Sequence, residues 1–202
     1  MNPIRRILVA ATLLASTFVA SGCLPVVATG AAVGTLAALD RRTIGAQTED
    51  TEIELRGYNR LVEGVKGGKG VSLTSFNRRV LMTGQVPDEA AKAEAERVVR
   101  NLPAVREVFN ELELADRATL SSATSDATIT ARVKAGFIEQ KALNSTAVKV
   151  VTEGGVVYLM GLITQREGPA YATVASRVPG ARRVVTLYEY ITDEELARIT
   201  TR

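Results

Sequence analysis

The sequence predicts an α+β fold of two tandem αββαβ modules, each with two helices packed on a small three-stranded mixed sheet. Three observations carry that reading. The apolar rhythm of FNRRVLMTGQVPDEA (76–90) returns in EGGVVYLMGLITQRE (153–167). Matched positions keep a near-constant offset: 77 between Gly84 and Gly161, 76 between Ile53 and Ile129, and 76 between Pro103 and Pro179. A fixed period of this kind marks a duplicated structural unit. Each copy also passes through helical spacing, two β-runs, a second helical stretch and a last alternating run in the same order.

In the first copy (49–115), Ile53, Gly57 and Leu61 fall at i, i+4, i+8, which predicts an amphipathic helix opening near Asp50. Thr51 and Glu54 have capping-box spacing. VSLTSF (71–76) and VLMTG (80–84) flank the turn-like NRR and read as a hairpin. QVPDEAAKAEAERVVRNL follows as a helix, with Pro87 near its start and Asp88 and Glu89 in its first turn. VREVFNELEL (105–114) alternates as a last strand.

The second copy (124–192) repeats the order. Ile129, Val133 and Phe137 share a helical stripe, with Asp126 as its expected N-cap. VKVVT (148–152) and VVYLMG (156–161) flank Gly154-Gly155, a strong hairpin signal. ITQREGPAYATVASRV is the second helix, interrupted early by Gly168-Pro169, and VPGARRVVTLYEYI supplies a turn and the final strand. Tyr188 and Tyr190 share one face of that strand, packing there or between the modules. The tail (193–202) is expected to form one short helical turn or none.

The N-terminus sets the compartment. A basic MNPIRR precedes the 14 apolar or small residues ILVAATLLASTFVA, then VASGC. Residues 1–22 have the layout of a secretory signal peptide. VASGC resembles a bacterial lipobox, with Ala20 where leucine is usual, which makes Cys23 the lipidation site. A buried free cysteine and an uncleaved membrane helix are the competing readings. Acyl chains, at roughly 0.8 kcal/mol per buried methylene, anchor a protein without a transmembrane helix. Leu24 follows the cysteine instead of the aspartate of inner-membrane retention, so the resemblance implies the periplasmic leaflet of the outer membrane. Residues 23–48 read as the lipidated N-terminus and a tether, ended by the charged, turn-forming DRRTIGAQ (40–47).

Composition narrows function. The chain has no histidine and one cysteine, which removes the commonest proton-transfer group and any Cys-cluster metal site. No catalytic constellation, metal site or cofactor is expected, and the protein is read as not an enzyme. Without residues 1–22 it carries 23 basic and 22 acidic side chains, too balanced for a nucleic-acid footprint. The charge is unevenly divided. Residues 50–114 hold 10 basic and 11 acidic groups, residues 126–192 hold 8 and 5, so the second module is the better reader of anionic headgroups. A solvated face would give the same surplus. Gly84 and Gly161, each between a strand and a helix, lack the spacing of a phosphate loop and read as backbone turns. Arg182 and Arg183 would touch phospholipid or protect an edge strand.

Paired αββαβ modules carrying VLMTGQV…VREVFNEL and VYLMGLIT…VPGARRVVT resemble BON domains. Two of them behind a lipobox resemble the dual BON-domain outer-membrane lipoprotein family, with the likeness running from the lipobox to Ile191. That resemblance implies a monomeric lipoprotein that binds an anionic phospholipid membrane through its second module, supports outer-membrane integrity and is enriched at division sites. It also implies lipid contact on the first helix of that module. By position these are Thr128, Arg132, Lys134, Ala135, Gly136, Phe137 and Ile138, with Arg132 and Lys134 for phosphate. Threonine stands at 128 where family members can place a large aromatic. Either Phe137 and Ile138 supply the apolar insertion or binding is weaker; Phe137 also belongs to the Ile129–Val133 core stripe. The rival function is a periplasmic adaptor whose exposed faces or strand edges bind outer-membrane assembly proteins.

Overall fold

The computed structural model describes residues 40–114 and 123–201. Cys23, the signal segment and most of the tether lie outside the described residues. Module 1 runs α1 (Ile44–Gly64), a 3-10 turn (Gly68–Gly70), β1 (Val71–Phe76), β2 (Arg79–Val86), α2 (Glu89–Arg100), and a third strand in two pieces, β3 (Glu107–Asn110) and β4 (Glu113–Leu114). Module 2 runs α3 (Ala123–Glu139), β5 (Val148–Glu153), β6 (Val156–Ile163), α4 (Gly168–Ser176) and β7 (Arg183–Tyr190), and α5 (Asp193–Thr200) follows. In each module the hairpin strands are antiparallel, and the second also pairs in parallel with the closing strand. The fold class is therefore the expected one.

Several local expectations are corrected. Helix α1 starts at Ile44 because the Thr43 hydroxyl accepts from the Ala46 N–H at 3.1 Å. Thr51 sits inside the helix, its hydroxyl donating to the Gln47 carbonyl at 3.0 Å, so the Thr51/Glu54 capping box does not form. Asp126 lies one turn inside α3 and is not its N-cap. The run 105–114 breaks at Glu111–Leu112, where Glu111 N–H still reaches the Met82 carbonyl (3.0 Å) and Leu112 turns into the core. The tail forms a helix of eight residues, closed by a Thr192/Glu195 capping box. Gly84 and Gly161 sit within strands β2 and β6, not in turns.

Three apolar clusters hold the molecule together. Ile53, Leu61, Val80, Met82 and Val99 pack the helices of module 1 on one face of its sheet. Ile129, Val133, Phe137, Leu159 and Tyr171 do the same in module 2. The opposite sheet faces meet each other: Phe76 and Leu81 of module 1 pack with Val156, Tyr158, Met160, Leu162 and Leu187 of module 2. The order of layers is helices, sheet, sheet, helices. Every residue of β6 is buried, as an uninterrupted apolar run covered on both faces requires.

Candidate functional site

The candidate site is built on α3, so what seats that helix comes first. The Asp126 carboxylate accepts from the Gly154 and Gly155 N–H groups at 3.0 and 2.9 Å. Both glycines have positive φ, 58° and 75°, in the two-residue turn that matches strand twist. The first copy repeats the device. Asp50 accepts from the Asn77 and Arg78 N–H groups at 2.8 and 2.7 Å, and from the Ser75 hydroxyl at 2.6 Å. One acidic side chain thus locks the first helix of each module onto its hairpin turn.

Below Asp126, Ile129, Val133 and Phe137 enter the core. Phe137 is fully buried and stacks edge-on against Tyr171, with ring centroids 5.0 Å apart. Its place as a surface lipid contact is therefore corrected: it is core, because it continues the stripe that faces the sheet. Gly136 also faces inward. A Cβ there would come within 2.7 Å of Val174 on α4, so this glycine lets two helices approach closely.

Five of the seven residues expected at the lipid surface are exposed: Thr128, Arg132, Lys134, Ala135 and Ile138. Ile138 is 67% exposed. The Thr128 hydroxyl is turned back to the Thr124 carbonyl at 2.9 Å. Arg132 and Lys134 are two residues apart, roughly 200° around the helix, and so flank this face on opposite sides. Neither has a carboxylate partner among the described residues. On the Lys134 side, a groove of about 350 Å³ lies between α3 and module 1, lined by Arg42, Phe76, Ile138 and Lys149 as well.

Sequence reasoning missed the basic pair before α1. Arg41 is 8% exposed. It donates to the Leu162 carbonyl at 2.8 Å and grips both Glu167 oxygens at 2.9 and 2.6 Å. Arg42 pairs with Asp40 and Asp50 and lies 4.3 Å over the Phe76 ring. The supposed end of the tether is thus a strap joining the modules; a DRR run carries no sequence mark that separates the two roles. Arg183 lies 3.7 Å from Glu111 across the modules. Tyr188 is buried against the helices of module 2, with Tyr190 edge-on beside it at 6.0 Å. No helix among the described residues is long and apolar enough to cross a membrane.

Comparison with known proteins matches this architecture. The BON domain model matches residues 49–116 and 125–190. The chain is 32% identical to the outer membrane lipoprotein DolP of Haemophilus influenzae over 193 residues, covering 95% of this chain and 98% of that one. It is 28% identical to the 21 kDa hemolysin of Actinobacillus pleuropneumoniae over 155 residues, 76% and 80% of the two chains. Among solved structures, the C-terminal domain of CdsD from Chlamydia trachomatis overlaps 71% of this chain and 67% of its own at 15% identity, with a TM-score of 0.29. With both copies matched and a relative aligned along nearly its whole length, the protein belongs to the dual BON-domain family of outer-membrane lipoproteins typified by DolP.

Proposed function

We propose that the protein is held at the periplasmic leaflet of the outer membrane by an acylated Cys23, and that the outward face of α3 adds a weak, charge-dependent contact with anionic phospholipid. The observation that supports this is the distribution of uncompensated cations. Seven of the ten basic side chains in residues 50–114 have a carboxylate within 4.0 Å. In residues 126–192 only three of eight do. Arg132, Lys134, Lys141, Arg177 and Arg182 are left without one among the described residues, so the charge surplus of module 2 is available to a partner. Each well-placed cation adds roughly 1 kcal/mol at an anionic surface. Exposed Ile138 supplies the apolar element between Arg132 and Lys134, in place of the buried Phe137. Two modest interactions, anchor and helix, reinforce each other through the effective concentration that the anchor creates. Support of membrane integrity and enrichment at division sites are the cellular consequences of this reading.

The test is flotation of the fragment from Asp40 onward with anionic and zwitterionic vesicles at low and high salt. Starting at Glu49 would remove the strap and the Thr43 cap. The expected result is an anionic preference that fades with salt and falls on double substitution Arg132→Glu and Lys134→Glu with the fold intact. Equal binding to both vesicle types would sink the proposal.

A further inference from the structure

Among the described residues, the two large apolar side chains most open to water are Ile44, 78% exposed, and Ile138, 67% exposed. They belong to different modules. Ile44 is the first residue of α1 and Ile138 the next-to-last of α3. The fold brings these two helix ends together. Arg42 borders the same groove of about 350 Å³ as Ile138, and it precedes Ile44 by two residues, no more than about 7 Å of chain.

The sign of this groove is defined. Its polar wall includes Arg42, Lys134, Lys149 and Ser145, and no carboxylate lines it. The neighbouring groove on α3 is bordered by Asp126 and Glu153, and the one between α1 and α2 by Glu63 and Glu94. Asp40, Asp50 and Glu54 are each engaged by Arg42 or Lys149, and none of them borders the groove. Those pairs hold the wall in place. The free donors are the Lys134 ammonium, with no carboxylate within 4.0 Å, and the Ser145 hydroxyl, with no hydrogen-bond partner among the described residues. An ammonium and a hydroxyl beside exposed aliphatic side chains suit an anion that is itself attached to apolar matter.

The course of the chain selects which anion. The strap around Arg41 and Arg42 is where the N-terminal segment joins the body of the protein. Cys23 and Asp40 are 17 positions apart, a reach of at most about 60 Å. An anchor at Cys23 therefore draws the strap, and the groove it borders, toward the bilayer before any other part of the fold. We infer that this groove seats the phosphate of an anionic phospholipid in that bilayer, with Ile44 and Ile138 entering the interface on either side. The inference rests on the anchor and the α3 contact proposed above. It adds a side chain from module 1, and of the two flanks of α3 it selects the one bearing Lys134.

The chain has no tryptophan, so one introduced indole reports alone. The test takes the full chain, purified from membranes and reconstituted into phosphatidylglycerol or phosphatidylcholine vesicles that carry bromine on their acyl chains. Ile44→Trp, Ile138→Trp and Leu55→Trp place the reporter at exposed positions, the last about 16 Å along α1 from Ile44. In phosphatidylglycerol the indoles at 44 and 138 should each lose about half their emission, while the one at 55 keeps its own. The losses should shrink in phosphatidylcholine and at high salt, and on Lys134→Gln. Quenching at 138 without quenching at 44 would overturn the inference and leave the α3 contact standing. Quenching at neither, or a chain that does not stay with the vesicles, would overturn the proposed function as well. Equal quenching at 55 would mean that α1 lies flat on the bilayer, and undiminished quenching in Lys134→Gln that no phosphate is held there; either result rejects the groove as the seat.

Discussion

Asp50 concentrates more structure than any other side chain in module 1. It is 3% exposed, yet it binds two turn N–H groups, the Ser75 hydroxyl and the Arg42 guanidinium at 2.8 Å. Asp50→Ala leaves those donors and a half-buried cation without their acceptor. The expected loss in urea unfolding is about 3–5 kcal/mol, the usual cost of breaking a buried charged network from one side. A loss below about 1 kcal/mol would mean that water replaces the carboxylate. Glu167 gives a pH signature. Burial pushes its carboxyl up, but the Arg41 pairing and the Thr164 N–H outweigh burial and hold it below its ordinary value of 4.5. A carboxyl lowered by folding binds its proton more readily when unfolded. Its contribution is therefore complete above about pH 4.5 and fades as pH falls through the lower folded value. Glu167→Gln should be less stable at neutral pH, and the gap to the native chain should narrow below about pH 4.5 in unfolding curves taken across that range; a constant gap would show that Arg41 does not depend on the charge. At this scale the sequence spoke clearly for Ile129 and Val133 through their spacing. It was silent on Asp50 and Arg41 and pointed Asp126 to a capping role, because the partners of all three lie far along the chain and leave no local pattern.

Elements were legible where their signals are local. The alanine-rich α2 behind Asp88, and the Gly154-Gly155 hairpin, follow from capping and turn chemistry alone. Helix α1 is longer than its apolar spacing predicts, because Thr43 takes the cap and Thr51 turns its hydroxyl to the Gln47 carbonyl inside the helix. The Thr192/Glu195 box is a local signal of the same kind, and it starts the C-terminal helix. Gly84 and Gly161 are the same position in the two copies, yet their backbones differ. Gly84 has φ 103°, and a Cβ there would stand 2.1 Å from the Gly70 carbonyl oxygen. Gly161 has no left-handed backbone, and the corresponding approach, to the Ala147 oxygen, is 2.7 Å. Gly84→Ala is expected to cost more than Gly161→Ala, with the first losing more than about 2 kcal/mol from combined strain and backbone collision. Urea titration of both variants decides it, and equal losses would show that the φ difference carries no energy.

At the scale of the whole molecule, the modules act as one folding unit because each supplies part of a shared core. The sequence hinted at this only through the unbroken apolar run of β6; nothing in it told which surface would cover the second face. The interface is the third apolar cluster, ringed by polar contacts from Lys149 to Glu54 at 3.0 Å, Asn77 to Glu189 at 2.7 Å and Arg41 to Glu167. Separated from module 1, the second module would present Val156, Tyr158, Met160, Leu162 and Leu187 to water along one sheet face. Each such side chain is worth up to about 1.5–3 kcal/mol when fully buried, an upper bound because the unfolded chain already hides part of its apolar surface. Several of them together rival the stability of a small domain. Calorimetry of the fragment spanning residues 40–201 should therefore show one transition, while residues 123–201 alone should melt lower or self-associate through the exposed sheet face. Leu81→Asp, a change wholly within module 1, should lower the melting of module 2 as read by its buried tyrosines, since it places a charge against their sheet. If residues 123–201 melted at the temperature of the longer fragment, the sheet-to-sheet contact would be energetically idle. The modules would then be joined by the Arg41 strap, and Arg41→Ala would separate their transitions.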